Sequence, residues 1–190
     1  MKQYIDPKKS QSFRKKNKNI QELINHALYV LDCFGVPIDN TPRRLERMAL
    51  AFLACGDIKS IKDFMKAKDI GSGFSLKTRE VITYLNLHFG EEISSGSYDD
   101  IRRKDLKLLT VGDIVLQSSP NSATNDSTRG YVLNPFYAEL IKKYHLKTWN
   151  KIVKTELAGI ESIGVKLKRK RKLKKVPVLL PSGKNLEFSI

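Results

Sequence analysis

The chemistry of this chain is concentrated in one short run, Ser97-Tyr98-Asp99-Asp100-Ile101-Arg102-Arg103-Lys104-Asp105-Leu106-Lys107-Leu108-Leu109. Four cations fall within positions 102–107, directly after two aspartates. Cations at that density suit a polyanion: an Arg fork takes a guanine edge with two hydrogen bonds, and Lys neutralises phosphate. Ser97 is a good helix N-cap. Asp100, three residues on, completes a capping box, and both aspartates favour a helix N-terminus. The spacing predicts one long helix from Ser97 to about Val111-Gly112. On a 3.6-residue wheel Tyr98, Ile101, Leu108 and Leu109 share one side, with Leu106 on its flank. Ser97, Asp100, Arg103, Lys104 and Lys107 fall on the other. Arg102 and Asp105 lie nearer the apolar side, where an ion pair between them is expected. Arg103, Lys104 and Lys107 are therefore the stronger candidates for DNA contact.

Other chemistries have weaker footing. A metal-dependent nuclease needs clustered carboxylates near a basic group. Asp57-Ile58-Lys59 and Asp105-Leu106-Lys107 each offer one acid and one lysine, with no strand bearing a second acid nearby. No Gly-rich phosphate loop, nucleophile elbow or paired-histidine motif is present. His26, His88 and His145 are scattered, so a zinc site has little support. Cys33 and Cys55 lie in apolar helical patterns without CxxC spacing, as buried free thiols in a reducing compartment do.

The bulk composition agrees with an anionic partner. The 190 residues carry a formal net charge of +15, which puts nucleic acid first and a membrane surface second. A hydrophobic fraction of 41% with 29% charged residues describes a soluble globular protein. The basic N-terminus is followed by no apolar h-region, and no apolar run is long enough to span a bilayer. A cytoplasmic location without membrane partners is expected.

A basic helix needs a scaffold to aim it. Residues 1–19 are polar and basic, and read equally well as a frayed solvated tail or as an arm touching phosphates. Ile20, Leu23, Ile24, Ala27, Leu28, Leu31 and Phe34 predict a helix over 20–35, stopped by Gly35 and Pro37. Thr41 and Pro42 open a second helix with a stripe of Leu45, Met48, Ala49, Phe52 and Leu53. A shorter helix is expected over 57–67, then a turn at Gly71-Ser72-Gly73. Another helix runs from Glu80 and Val81 to Phe89, closed by Gly90. Residues 91–96 then form a turn.

After the basic helix, Ile114-Val115-Leu116 and Gly130-Tyr131-Val132-Leu133 read as paired strands around a polar loop, a wing. Pro135 opens a helix through Tyr137, Leu140, Ile141 and Tyr144. A further helix carries Trp149, Ile152, Val153 and Leu157. Residues 165–175 hold eight Lys or Arg in eleven positions. That run reads as a solvated connector, as an edge strand, or as phosphate contact that adds affinity without sequence choice. Val176–Leu180 and Leu186–Ser189 read as a final hairpin.

Several segments together resemble the N-terminal region of the BsuBI/PstI-type restriction endonucleases. They are Met48-Ala49-Leu50-Ala51-Phe52-Leu53-Ala54, Leu76-Lys77-Thr78-Arg79-Glu80, the run from Ile93 to Leu109, and Ala123-Thr124-Asn125-Asp126-Ser127-Thr128-Arg129-Gly130-Tyr131. The likeness extends from about Ile20 to Ser189. It implies a Type II enzyme that cuts a short palindromic DNA site with Mg²⁺, in which this region precedes a C-terminal nuclease domain. No counterpart of the nuclease's acidic and lysine residues is found, so Mg²⁺ would belong to a domain absent here, and no cofactor is expected in this chain.

The expected architecture is mainly α. A helical subdomain with a basic arm occupies 1–75, and a winged helix-turn-helix with a small β-hairpin wing occupies 76–134. Packing helices occupy 135–164, and a basic connector with a C-terminal β-hairpin occupies 165–190. The expected function is sequence-specific binding of double-stranded DNA by the recognition half of a restriction enzyme, as a fragment, split product or remnant. Arg103, Lys104 and Lys107 would enter the major groove. Lys77, Ser94, Ser95 and Ser97 would grip phosphate, and Asn125, Thr128 and Arg129 would clamp from the wing. A homodimer is expected on a palindrome. The alternatives are a winged-helix transcriptional regulator and a Mg²⁺-dependent endonuclease completed by a separate nuclease chain.

Overall fold

The computed structural model describes residues 2–117, 130–171, 175–179 and 185–189. Its centre is α3 (Pro42–Cys55), in which every residue from Met48 to Cys55 is buried. A helix that is apolar all round must be covered all round. Here α2 (Lys18–Cys33) and α4 (Thr78–Phe89) pack on it, together with a basic segment after α4 and the strand β3 (Gly130–Leu133). The predicted stripe of α3 was thus too narrow. Leu50, Ala51, Ala54 and Cys55 are inside as well, because neighbours approach from every side. Burial pushes the Cys55 thiol well above its usual value, while Cys33 is only half-buried; both are free thiols.

Helix α2 starts where the Asn17 side chain accepts a hydrogen bond from the Ile20 amide at 2.9 Å. It stops where Gly35 takes a left-handed conformation (φ 77°) and the Val36 amide reaches back to the Leu31 carbonyl. The N-terminal segment is not a frayed tail. Ile5 and Phe13 are fully buried, and the short α1 (Gln11–Lys15) is capped by Ser10. The helix expected over 57–67 is instead a 3₁₀ turn, Ile61–Lys66. Asp63 takes the Lys59 amide and the Ser60 hydroxyl at its start, and Asp57 sits at φ 53° just before it.

A three-stranded antiparallel sheet lies in the order β1-β3-β2. The predicted pair is present as β2 (Val115–Gln117) and β3, with Val115 opposite Leu133 and Gln117 opposite Tyr131. The third strand, β1 (Leu76–Lys77), is only two residues long, too short for a period-two pattern. It pairs Leu76 with Tyr131 and Lys77 with Gly130, directly before α4.

Beyond the sheet, α7 (Pro135–Lys142) is capped by Asn134, whose side chain accepts from the Phe136 amide. In α8 (Trp149–Leu157) the Trp149 indole donates to the Leu140 carbonyl at 2.7 Å. Trp149, Tyr29, Phe34 and Tyr144 stack as an aromatic seam that fixes these helices to α2. The first part of the basic run is neither connector nor strand but α9 (Ile163–Arg171). The alternation of Val165 and Leu167 misled, because the spacing that matters is Ile163 to Leu167, one helical turn. Ile163 is buried against Gly112, where a Cβ would lie 2.8 Å from its Cδ1. The last elements, β4 (Lys175–Leu179) and β5 (Asn185–Ser189), form the antiparallel hairpin read from the sequence.

Candidate nucleic-acid interface

Two helical stretches joined by a turn carry the candidate residues. The first is α4. Glu80 accepts from the Lys77 amide at 2.7 Å at its start, and Gly90 ends it in the left-handed conformation (φ 62°). The turn is stapled back to α4 by Asn86, whose amide both donates to the Ile93 carbonyl and accepts from the Ile93 amide, each at 2.9 Å. The second stretch is not the single helix predicted from Ser97 to Val111. A 3₁₀ turn (Ser95–Ser97) leads into α5 (Tyr98–Asp100), a π-helical turn (Ile101–Asp105) and α6 (Lys107–Val111). The Leu106 amide bonds five residues back to the Ile101 carbonyl at 2.9 Å. Period-3.6 counting cannot anticipate this widening. It buries Leu106 completely, where the wheel left it on the flank.

The predicted capping box at Ser97 is not formed. The Ser97 side chain makes no cap hydrogen bond and pairs with the Ser94 hydroxyl at 3.1 Å. The predicted pairing of Arg102 with Asp105 is also replaced. Arg102 donates to Asp99 at 2.9 Å. Asp105 is buried and accepts from Arg47 Nε and Nη2 at 3.1 and 2.8 Å, and from Arg44 Nη1 at 3.4 Å. Its true partners lie 58 and 61 residues earlier, beyond any local pattern.

The three outward cations are placed as the wheel sorted them, but Tyr98, sorted inward, is 44% exposed. Arg103, Lys104 and Lys107 are exposed, as are Lys77, Ser94 and Ser95, while Ser97 is half-buried. Arg103 stands 3.8 Å from Asp99 and Lys104 2.8 Å from Asp100, both exposed pairs. Such pairs are worth only about 0–1 kcal/mol, so a phosphate displaces them readily. Lys107 forms no ion pair among the described residues. Arg103, Lys104 and Lys107 line one groove of about 570 Å³ with Arg44 and Met48 of α3 and Leu167 of α9. Arg44 was not anticipated. The sequence signal was the dense charge of Pro42-Arg43-Arg44-Leu45-Glu46-Arg47 ahead of an apolar run. Asn125, Thr128 and Arg129 lie outside the described residues, although both flanking strands are present.

Behind this face lies a chain of buried charge. Lys16, expected in a solvated tail or a phosphate-touching arm, is buried and reaches Glu91 at 2.7 Å, the Phe89 carbonyl at 2.8 Å and Glu46 at 3.7 Å. Arg43 donates to Glu91 through Nη1 and Nη2, at 3.0 and 2.6 Å, and reaches Glu46 at 3.0 Å. Burial alone would raise the Glu91 carboxyl, but hydrogen bonds from Arg43 and Lys16 outweigh it and hold the group below its ordinary value. At Asp105 the balance is reversed. Burial pushes the carboxyl up, and Arg47 and Arg44 offset only part of the rise.

Neither acid-lysine pair fits a magnesium site. Asp57 is occupied by Lys68 at 2.7 Å, Lys59 at 3.1 Å and the Tyr84 hydroxyl at 3.0 Å. Asp105 faces inward to arginines while Lys107 faces out. Among the described residues no helix is long and apolar enough to cross a membrane.

Two helical stretches, a stapled turn and a supporting α3 make this a helix-turn-helix protein. The chain belongs to the family described as the BsuBI/PstI restriction endonuclease HTH domain, which matches residues 21–164. Its fold is similar to that of the SdaI restriction endonuclease, with a TM-score of 0.61 and 19% sequence identity over 87% of this chain. The likeness covers 50% of that chain, so this chain spans about half its length. No curated protein matches the sequence.

Proposed function

We propose that this chain binds double-stranded DNA sequence-specifically, as the recognition part of a Type II restriction endonuclease. The carrying observation is the groove in which Arg103, Lys104 and Lys107 meet Arg44 of α3 and the flank of the basic α9. Three elements bring cations or a basic helix to one surface, as a phosphate-lined ligand requires. In this reading β1, β2 and β3 with the helix-turn-helix form a winged helix. The π turn and α6 enter the major groove, where base edges carry a readable donor and acceptor pattern. Lys77, Ser94, Ser95 and Ser97 hold the backbone, and Asn125, Thr128 and Arg129 clamp from the wing. The exposed Lys168 of α9 adds a phosphate contact beside them. The resemblance implies a palindromic target, and reading a palindrome takes two copies of the chain.

Selection from a random-sequence duplex pool by gel shift tests this. The expected result is an enriched sequence whose advantage over a scrambled duplex is lost in Arg103→Ala. Recovery of no enriched sequence overturns specific recognition.

A further inference from the structure

The buried charges behind the interface are out of proportion to what the fold requires. Apolar replacements for a buried ion pair are often neutral or stabilising, and α3 already buries eight consecutive residues. Their placement has a pattern. Arg43 and Arg44 are neighbours in the first turn of α3, and Arg47 follows one turn later. They reach Glu91 in the turn after α4 and Asp105 at the end of the π turn. Helix α3 therefore holds both the turn and the second stretch of the helix-turn-helix.

The Asp105 end is the informative one. A π turn is rare, and within helical structure it is frequent at functional sites. Here it sets Asp105 and Leu106 inward together and leaves Arg103 and Lys104 exposed side by side. The carboxylate of Asp105, 2% exposed, is tied by three hydrogen bonds to two arginines of another helix. Arg44 closes the arrangement: it touches Asp105 from behind and lines the same groove as Arg103 and Lys104.

We propose that Asp105, gripped by Arg44 and Arg47, is a positioning residue for sequence reading: the clamp holds the π turn in the one geometry that aims Arg103 and Lys104 at base edges. This rests on the DNA-binding reading above. A loosened turn leaves both cations exposed and charged, so attraction to phosphate survives. Their aim, and with it base discrimination, does not.

The test compares two duplexes, one enriched from the random pool and one scrambled, by fluorescence anisotropy across a salt series. Asp105→Asn keeps the shape and removes the charge. Arg47→Met/Asp105→Leu removes the pair in apolar form and keeps the protein folded where the single variant does not. We expect the specific-to-scrambled affinity ratio to fall at least about tenfold, the scale of one lost base contact. Affinity for the scrambled duplex and the salt slope should stay as in the wild type. Asp105→Glu should recover part of the ratio. A folded double variant with the wild-type ratio overturns the positioning role and leaves DNA binding standing. A wild type that enriches no sequence removes the sequence-specific reading, and this inference with it.

Discussion

The two sides of the second helical stretch carry the same residue types and use them oppositely. On the inner side Asp105 is buried against Arg44 and Arg47, and the neighbouring Glu91 against Lys16 and Arg43. On the outer side Arg103 and Lys104 make only exposed contacts with Asp99 and Asp100. Out of water, a charge that loses its partner is expensive. In water, the same loss is nearly free. The inner charges are thus committed to geometry, and the outer ones remain available to an incoming anion.

The largest break in this contrast is on the inner side. Glu91→Ala leaves Glu46 as the one acid shared by Lys16 and Arg43, at 3.7 and 3.0 Å, and should lower stability by about 3 kcal/mol in urea unfolding, the low end for a broken buried pair. Gly112→Ala comes next. Its methyl would meet Ile163 at 2.8 Å and the Leu108 carbonyl at 3.3 Å, unseating α9 at a cost of about 1–3 kcal/mol.

Acid separates the two inner carboxylates. Glu91 faces Lys16, Arg43 and Arg47, and titrates below the 4.5 of an ordinary glutamate. Its stabilisation is whole above that value and is lost as the pH falls through its folded value. Asp105 faces Arg44 and Arg47, with Asp100 beyond, and titrates above 3.8. Its contribution is whole below 3.8 and is lost as the pH rises through its folded value. Urea midpoints followed against pH should therefore show Glu91→Gln flattening the loss below pH 4.5. Asp105→Asn should remove an opposing slope just above pH 3.8. The smallest effect belongs to the outer side, where Arg103→Ala should change stability by no more than about 0.5 kcal/mol.

What the sequence disclosed follows the range of the forces involved. Local patterns were sufficient for α2, α7 and α8 and for the β2–β3 pair, because caps, Gly and Pro signals and apolar periods lie within a few residues of what they control. They were also sufficient to turn Arg103, Lys104 and Lys107 outward. They missed whatever depends on distant partners. Lys16 looked like part of a solvated tail until Glu91, 75 positions later, came to meet it. Asp105 was matched to its neighbour Arg102 when its partners sit on α3. The π turn escaped because a wheel assumes the very period that the turn violates. Helix α9 is obscured by its charge density, and Ile163 seated on Gly112 with Leu167 a turn later reveals its inner face.

The most direct measurement is the salt dependence of binding to the enriched duplex for the wild type and for Arg103→Ala/Lys104→Ala/Lys107→Ala. Each phosphate contact contributes about 0.9 to the slope of log affinity against log salt. At least one of the three cations should supply such a contact, so the expected result is a slope shallower by about 1–3, loss of sequence preference and unchanged thermal unfolding. A triple variant that keeps both the wild-type slope and the wild-type preference would contradict it and place the DNA elsewhere on the surface.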